Sequence, residues 1–117
     1  MSIAPGVLNL TFSQGATWKL AMTYTNGDGA PIDLTDYSSK MQARTSYDSD
    51  VAVLTLTNGS GIVLGGTAGS INLLVAATAT AQIAANQYVY DLEVESDSGE
   101  VSRVIQGTLI VTPEVTR

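Results

Sequence analysis

The side chains with which proteins most often do chemistry are scarce in this chain. Histidine and cysteine are both absent, which removes the commonest general base, the commonest nitrogen ligand for a metal and the thiolate nucleophile together. What remains is eleven acids against five bases, a net charge of −6 over 117 residues. Asp48 with Asp50, and Asp97 with Glu100, invite comparison with a calcium loop. Calcium takes about six to eight oxygens, and neither pair has the spacing that supplies them from one loop. Both read as solvated loop acids. Asp33 or Asp36 beside Tyr37 comes nearest to a catalytic group, but no activating base stands at a recognisable distance from any hydroxyl. Asp91, Glu93 and Glu95 are two apart in an extended run and point the same way, toward water, instead of facing each other across a cleft. No enzyme activity, cofactor or metal is expected. The acidic balance also disfavours nucleic acid, whose binding depends on Lys and Arg displacing counterions.

Contact chemistry is the alternative. Trp18, Tyr88 and Tyr90 would suit a sugar platform, but all three fall at the inward phase of their strands and read as core. Tyr24, Tyr37 and Tyr47 fall at strand ends or in loops and are expected to be exposed. Arg44 and Arg103 stand isolated, as interface anchors or as charges that keep an edge strand soluble. Met1–Gly6 is apolar without alternating, and Pro5 cannot donate to a sheet. The expected contact residues are therefore Ile3 and Val7, with the Thr35–Tyr37 and Tyr47–Asp50 loops supplying Thr35, Tyr37, Tyr47, Asp48 and Asp50.

These residues need a scaffold, and its best-marked strand is Gln87–Glu95, QYVYDLEVE. Tyr88, Tyr90, Leu92 and Val94 alternate with Asp91, Glu93 and Glu95, the pattern of a strand with one wet side. Val7–Phe12 alternates as a first strand, with Leu8, Leu10 and Phe12 inward. Thr17–Thr25 follows, with Trp18, Leu20, Met22 and Tyr24 inward and Trp18 near the centre of the core. Asn26–Gly29 is a turn. Ser38–Thr45 alternates weakly and reads as an edge strand. Ala52, Leu54 and Leu56 share a face, NGSG at 58–61 turns the chain back into Ile62–Leu64, and Ile71, Leu73 and Val75 line the inner face of Ser70–Val75. The Ala-rich Ala76–Asn86 holds one or two helical turns, too short to stand without packing. Val101–Thr112 closes the sheet beside the first strand, with Val101, Ile105, Leu109 and Val111 in phase; Gly107 marks a bulge or the close approach of another backbone.

Turn signals recurring about every ten residues indicate an all-β fold, an immunoglobulin-like two-sheet sandwich of seven or eight strands. A short helical link into the Tyr88–Glu95 strand is how the E–F corner of such a sandwich is built. The length suits a single domain, 1–117, with an arm at 1–6 and a tail at 113–117. Only 14% of residues are charged, below the roughly 25% of typical soluble domains, as a protein packed among neighbours would tolerate. No apolar run approaches the about 20 residues of a membrane span. The first ten residues do not read as a signal peptide, so synthesis and folding in the cytoplasm are expected.

The order QGATWKLAMTYTNGDGAPIDLT, a Met–Gln–Ala–Arg strand, NGSGIVLGG, YVYDLEV and GTLIVTPEVTR resembles the small immunoglobulin-like sandwich proteins of tailed-bacteriophage virions. It is similar to the N-terminal domain of phage baseplate upper proteins. The resemblance runs from Gly15 to Arg117 and rests on structural motifs. It implies a non-enzymatic virion protein present in many copies, in contact with tail, baseplate, fibre or capsid proteins and made in the bacterial cytoplasm. From the charge balance and the lack of a long apolar run, neither nucleic acid nor a membrane is expected as a partner. A tail or baseplate component is expected first. A capsid decoration protein or a carbohydrate-binding host-adhesion module are the alternatives. The baseplate relatives continue into fibre or receptor-binding parts after the sandwich, whereas this sequence ends at Arg117.

Overall fold

A computed structural model describes residues 6–116; of the expected contact residues, Ile3 lies outside them. Among the described residues the chain forms nine strands: β1 (Gly6–Val7), β2 (Leu10–Ser13), β3 (Trp18–Thr23), β4 (Ser38–Arg44), β5 (Leu54–Asn58), β6 (Gly61–Leu64), β7 (Ser70–Val75), β8 (Asn86–Glu95) and β9 (Val101–Thr112). The fold is all-β, a curled mixed sheet paired in the order β1-β9-β8-β4-β5-β6-β7-β3, with β2 also on β9. Where two separate sheets were expected, the pairing continues through β5 and β6. The link is narrow, since Thr57↔Gly61 and Asn58↔Ile62 are its only partners. Gly61 makes it possible. Its φ is 98°, and a Cβ there would lie 2.6 Å from Leu56 Cδ2, so only glycine fits so tight a reversal. NGSG therefore does not close a hairpin; β6 leaves β5 and pairs antiparallel with β7.

The β8–β9 hairpin is the backbone of the molecule, and it holds the clearest departure from simple alternation. Leu92 pairs with Ile105 but Glu93 pairs with Arg103, so Val104 is an extra residue and the β9 phase resets there. Downstream, Ile105, Leu109 and Val111 are buried as expected, while upstream Val101 is turned out and 53% exposed. The bulge is thus at Val104 and not at Gly107. Gly107 serves the other expected purpose: a Cβ on it would meet the Leu8 carbonyl at 2.5 Å, because β1 and β2 run parallel to β9 there. The first strand is accordingly split between β1 and β2. Leu8 falls in the gap and is 40% exposed.

β4 is a central strand, not an edge. It lies between β5 and β8, with Met41 and Ala43 fully buried. Its weak alternation reflects a polar outer face, in which Lys40 lies opposite Glu93 and Gln42 opposite Asp91. Among the described residues β3 is an edge strand, at one end of the path, with β1 and β2 at the other. That is why Trp18, though at inward phase and packed on Phe12 with ring centroids 4.5 Å apart, is only partly buried. Phe12, Met41, Ile62, Ile71, Leu92 and Leu109 hold the centre of a continuous core.

The helical turn α1 (Ala77–Thr80) is held by packing, as its length requires. Thr80 is fully buried and its Oγ1 donates at 2.9 Å to the Ala16 carbonyl. Gln14 ties the next segment from the other side, with its Nε2 donating to the Ile83 carbonyl at 2.8 Å. Among the described residues no helix is long and apolar enough to cross a membrane.

Candidate contact surfaces

The outer faces of the sheet differ in chemistry. On β4, β8 and β9 the outward side chains are mostly polar or charged. Arg103 pairs with Asp91 at 3.5 Å and Glu93 at 3.8 Å, and its Nη1 donates to Gln106 at 3.1 Å. Arg44 donates to the Ser49 carbonyl at 2.9 Å and to Gln42 at 3.1 Å. Neither arginine is isolated. Such exposed pairs contribute at most about 1 kcal/mol, but they leave Asp91 and Glu93 engaged with a cation on their own face. A shallow depression of about 240 Å³ opens between Gln42, Arg44, Tyr47 and Asp91, and Tyr47 at its rim is 84% exposed.

On β6, β7 and β3 the outer face is nearly free of charge. Two neighbouring rows cross it, Val63–Asn72–Ala21 and, beside it, Leu74 opposite Lys19. Val63 is 63% exposed and Leu74 49% exposed, around a depression of about 500 Å³ whose only charged lining residue is Lys19. Sequence reasoning passed over this face. Its signal was present, since Val63 and Leu74 are apolar residues at the wet phase of their strands, where a purely solvated face would carry polar ones.

The contact residues expected from the sequence do not converge. Thr35 and Tyr37 precede β4 whereas Tyr47, Asp48 and Asp50 follow it, so the two loops stand at opposite ends of a seven-residue strand, roughly 20 Å apart. Val7, 74% exposed, is on β1 at the far side of β9 and β8. Tyr37 is half-buried against the core, and its carbonyl accepts from Asn58 Nδ2 at 3.0 Å. Tyr24 is buried, as its inward phase implies and against the exposure expected at a strand end: its N–H donates to the Gly69 carbonyl at 2.8 Å and its own carbonyl accepts from Ile32 at 2.9 Å. Those bonds draw the strand end inward.

Tyr88 and Tyr90 are core residues with satisfied hydroxyls. Tyr88 donates to the Ala84 carbonyl at 2.6 Å, and Tyr90 donates to the Leu8 carbonyl. Burial pushes the Tyr90 phenol up to about 12. The Thr35 hydroxyl, and then the Thr35 N–H, hold the Asp33 carboxyl below its ordinary value. That arrangement caps a turn. Among the described residues no three His, Cys, Asp or Glu side chains come close enough to share a metal ion. Compared with protein-family models and with curated proteins, the sequence matches none.

Proposed function

We propose that this chain is a non-enzymatic structural protein of a tailed-bacteriophage virion, a tail or baseplate component that docks fibres or neighbouring virion proteins. The observation that carries the reading is the carboxylate-free outer face of β6, β7 and β3, where Val63 and Leu74 are exposed and Ala21 lies across Asn72 from Val63. In a chain of net charge −6, apolar surface without acids marks a place for contact with another protein. We read the curled sheet as an immunoglobulin-like two-sheet sandwich folded at the β5–β6 link. Supporting this is the Tyr88 hydroxyl bonded to the carbonyl of Ala84, four residues upstream, the tie found at the E–F corner of such sandwiches. The partners are other virion proteins in a multi-copy assembly, after synthesis in the host cytoplasm.

Mass spectrometry of purified particles tests the proposal. The protein is expected in stoichiometric amount; its presence in infected-cell lysate but never in particles would refute it. Copy number separates the tail from the head, because a capsid decoration protein is far more abundant per particle. A glycan-binding adhesion module is favoured by Tyr47 standing exposed at the rim of the polar depression. Glycan-array binding that disappears with Tyr47→Ala would establish that second reading in place of the first.

A further inference from the structure

Among the described residues, no strand pairs with the outer side of β3. Its backbone polarity follows from its inner side. Tyr24 donates to Gly69 at 2.8 Å, continuing the register in which Thr23 faces Ser70 and Trp18 faces Val75. Hydrogen-bonded and non-bonded pairs alternate along an antiparallel ladder. Met22, Leu20 and Trp18 therefore turn their backbone groups toward β7, and Thr23, Ala21 and Lys19 turn theirs toward the open edge. The side chains tell the same story: Trp18, Leu20 and Met22 are at inward phase yet only partly buried. Beside them a groove of about 390 Å³ runs between β3 and the opposite end of the sheet, with Leu8, Val104 and Ile105 on its far wall.

We propose that a second copy of this chain docks on the open edge, its β3 running antiparallel to the first about a two-fold axis at Ala21. The occupant is argued from register and charge. Centring on Ala21 is the one alignment that pairs Lys19, Ala21 and Thr23 wholly among themselves, each hydrogen-bonded residue pair exchanging two bonds. It sets Ala21 against its counterpart, Lys19 against Thr23, and Leu20 against Met22, so small meets small and no like charges face each other. Centring on Lys19 would oppose two ammonium groups. β3 also carries no acid, so in a chain of net charge −6 this edge can approach its copy with little repulsion. The pairing is isologous and closes on itself. It covers what remains exposed of the partly buried Trp18, Leu20 and Met22 and brings Leu8 of the groove wall toward the second copy.

The test uses the full chain in solution and does not depend on its place in a particle. An edge contact of this length is small, so sedimentation should show a reversible dimer half-formed somewhere in the range of about 0.01–1 mM. Amide exchange at Lys19, Ala21 and Thr23 should slow as concentration rises. Ala21→Lys places like charges at the axis while occupying an exposed site in the monomer. It is expected to weaken the dimer about tenfold or more without shifting Tm. Ala79→Lys, the same charge change at an exposed position of α1, should leave association intact. A chain still monomeric at about 1 mM, a dimer indifferent to Ala21→Lys, or edge amides protected equally at all concentrations would each overturn the proposal. The last outcome would mean that the chain covers its own edge. Failure here leaves the particle assignment standing, and absence from particles leaves the dimer standing.

Discussion

Tyr90 couples one side chain to the closure of the fold. Its hydroxyl reaches across to the Leu8 carbonyl, and burial raises its phenol from the ordinary 10.0 to about 12. Between those values the unfolded chain loses a proton that the native chain keeps, so stability is complete below pH 10 and falls as pH rises toward 12. Urea titrations across that window should show a loss of roughly 2–3 kcal/mol at most, and Tyr90→Phe should remove this component of the pH dependence. A wild-type profile matching that of the variant would place the phenol in water. A second comparison separates centre from rim. Phe12 is fully buried whereas Trp18 is partly exposed on the edge strand, so Phe12→Ala should cost about 3–5 kcal/mol and Trp18→Ala about 1–3. The reverse order in denaturant melts would contradict the placement of β3 at the edge.

At the scale of elements, one buried hydroxyl and one close backbone approach fix how segments pack. Thr80→Val keeps the shape of the side chain but removes its bonds to the Ala16 and Ala77 carbonyls, and should cost about 1–2 kcal/mol by equilibrium unfolding. Gly107→Ala would drive a Cβ into the Leu8 carbonyl. A loss of about 1–3 kcal/mol is expected, with faster amide exchange in β1; an unchanged melt would mean the close approach is relaxed in solution. How much of this could be read beforehand depends on what alternation encodes. Period two tells which face of a strand is wet, so the buried Tyr88, Tyr90, Leu92 and Val94, and Ile71, Leu73 and Val75, were legible. It does not tell which strand lies beside which. Hence β4 looked like an edge because of Lys40, Gln42 and Arg44, and Trp18 looked central because it alternates cleanly. An inserted residue is equally silent: Val104 resets the phase of β9 and turns Val101 outward with no mark in composition. The contact face was half legible. Val63 and Leu74 stood out of pattern, but only the pairing of β6, β7 and β3 makes one surface of them.

For the whole molecule, the polar face carries the charges, with Arg103 paired to Asp91 and Glu93, while the face of β6, β7 and β3 is apolar, lacks carboxylates and ends in an open edge. That second face is the one we propose for docking. The direct measurement is particle incorporation of a Val63→Asp/Leu74→Asp double variant, supplied in place of the natural chain during infection and quantified by mass spectrometry of purified particles. Both positions are exposed, so the isolated variant should keep its Tm within a few degrees, as surface changes of within about 0.5 kcal/mol each imply. The account predicts a folded variant that is lost from particles. A folded variant incorporated at the level of the natural chain would contradict it.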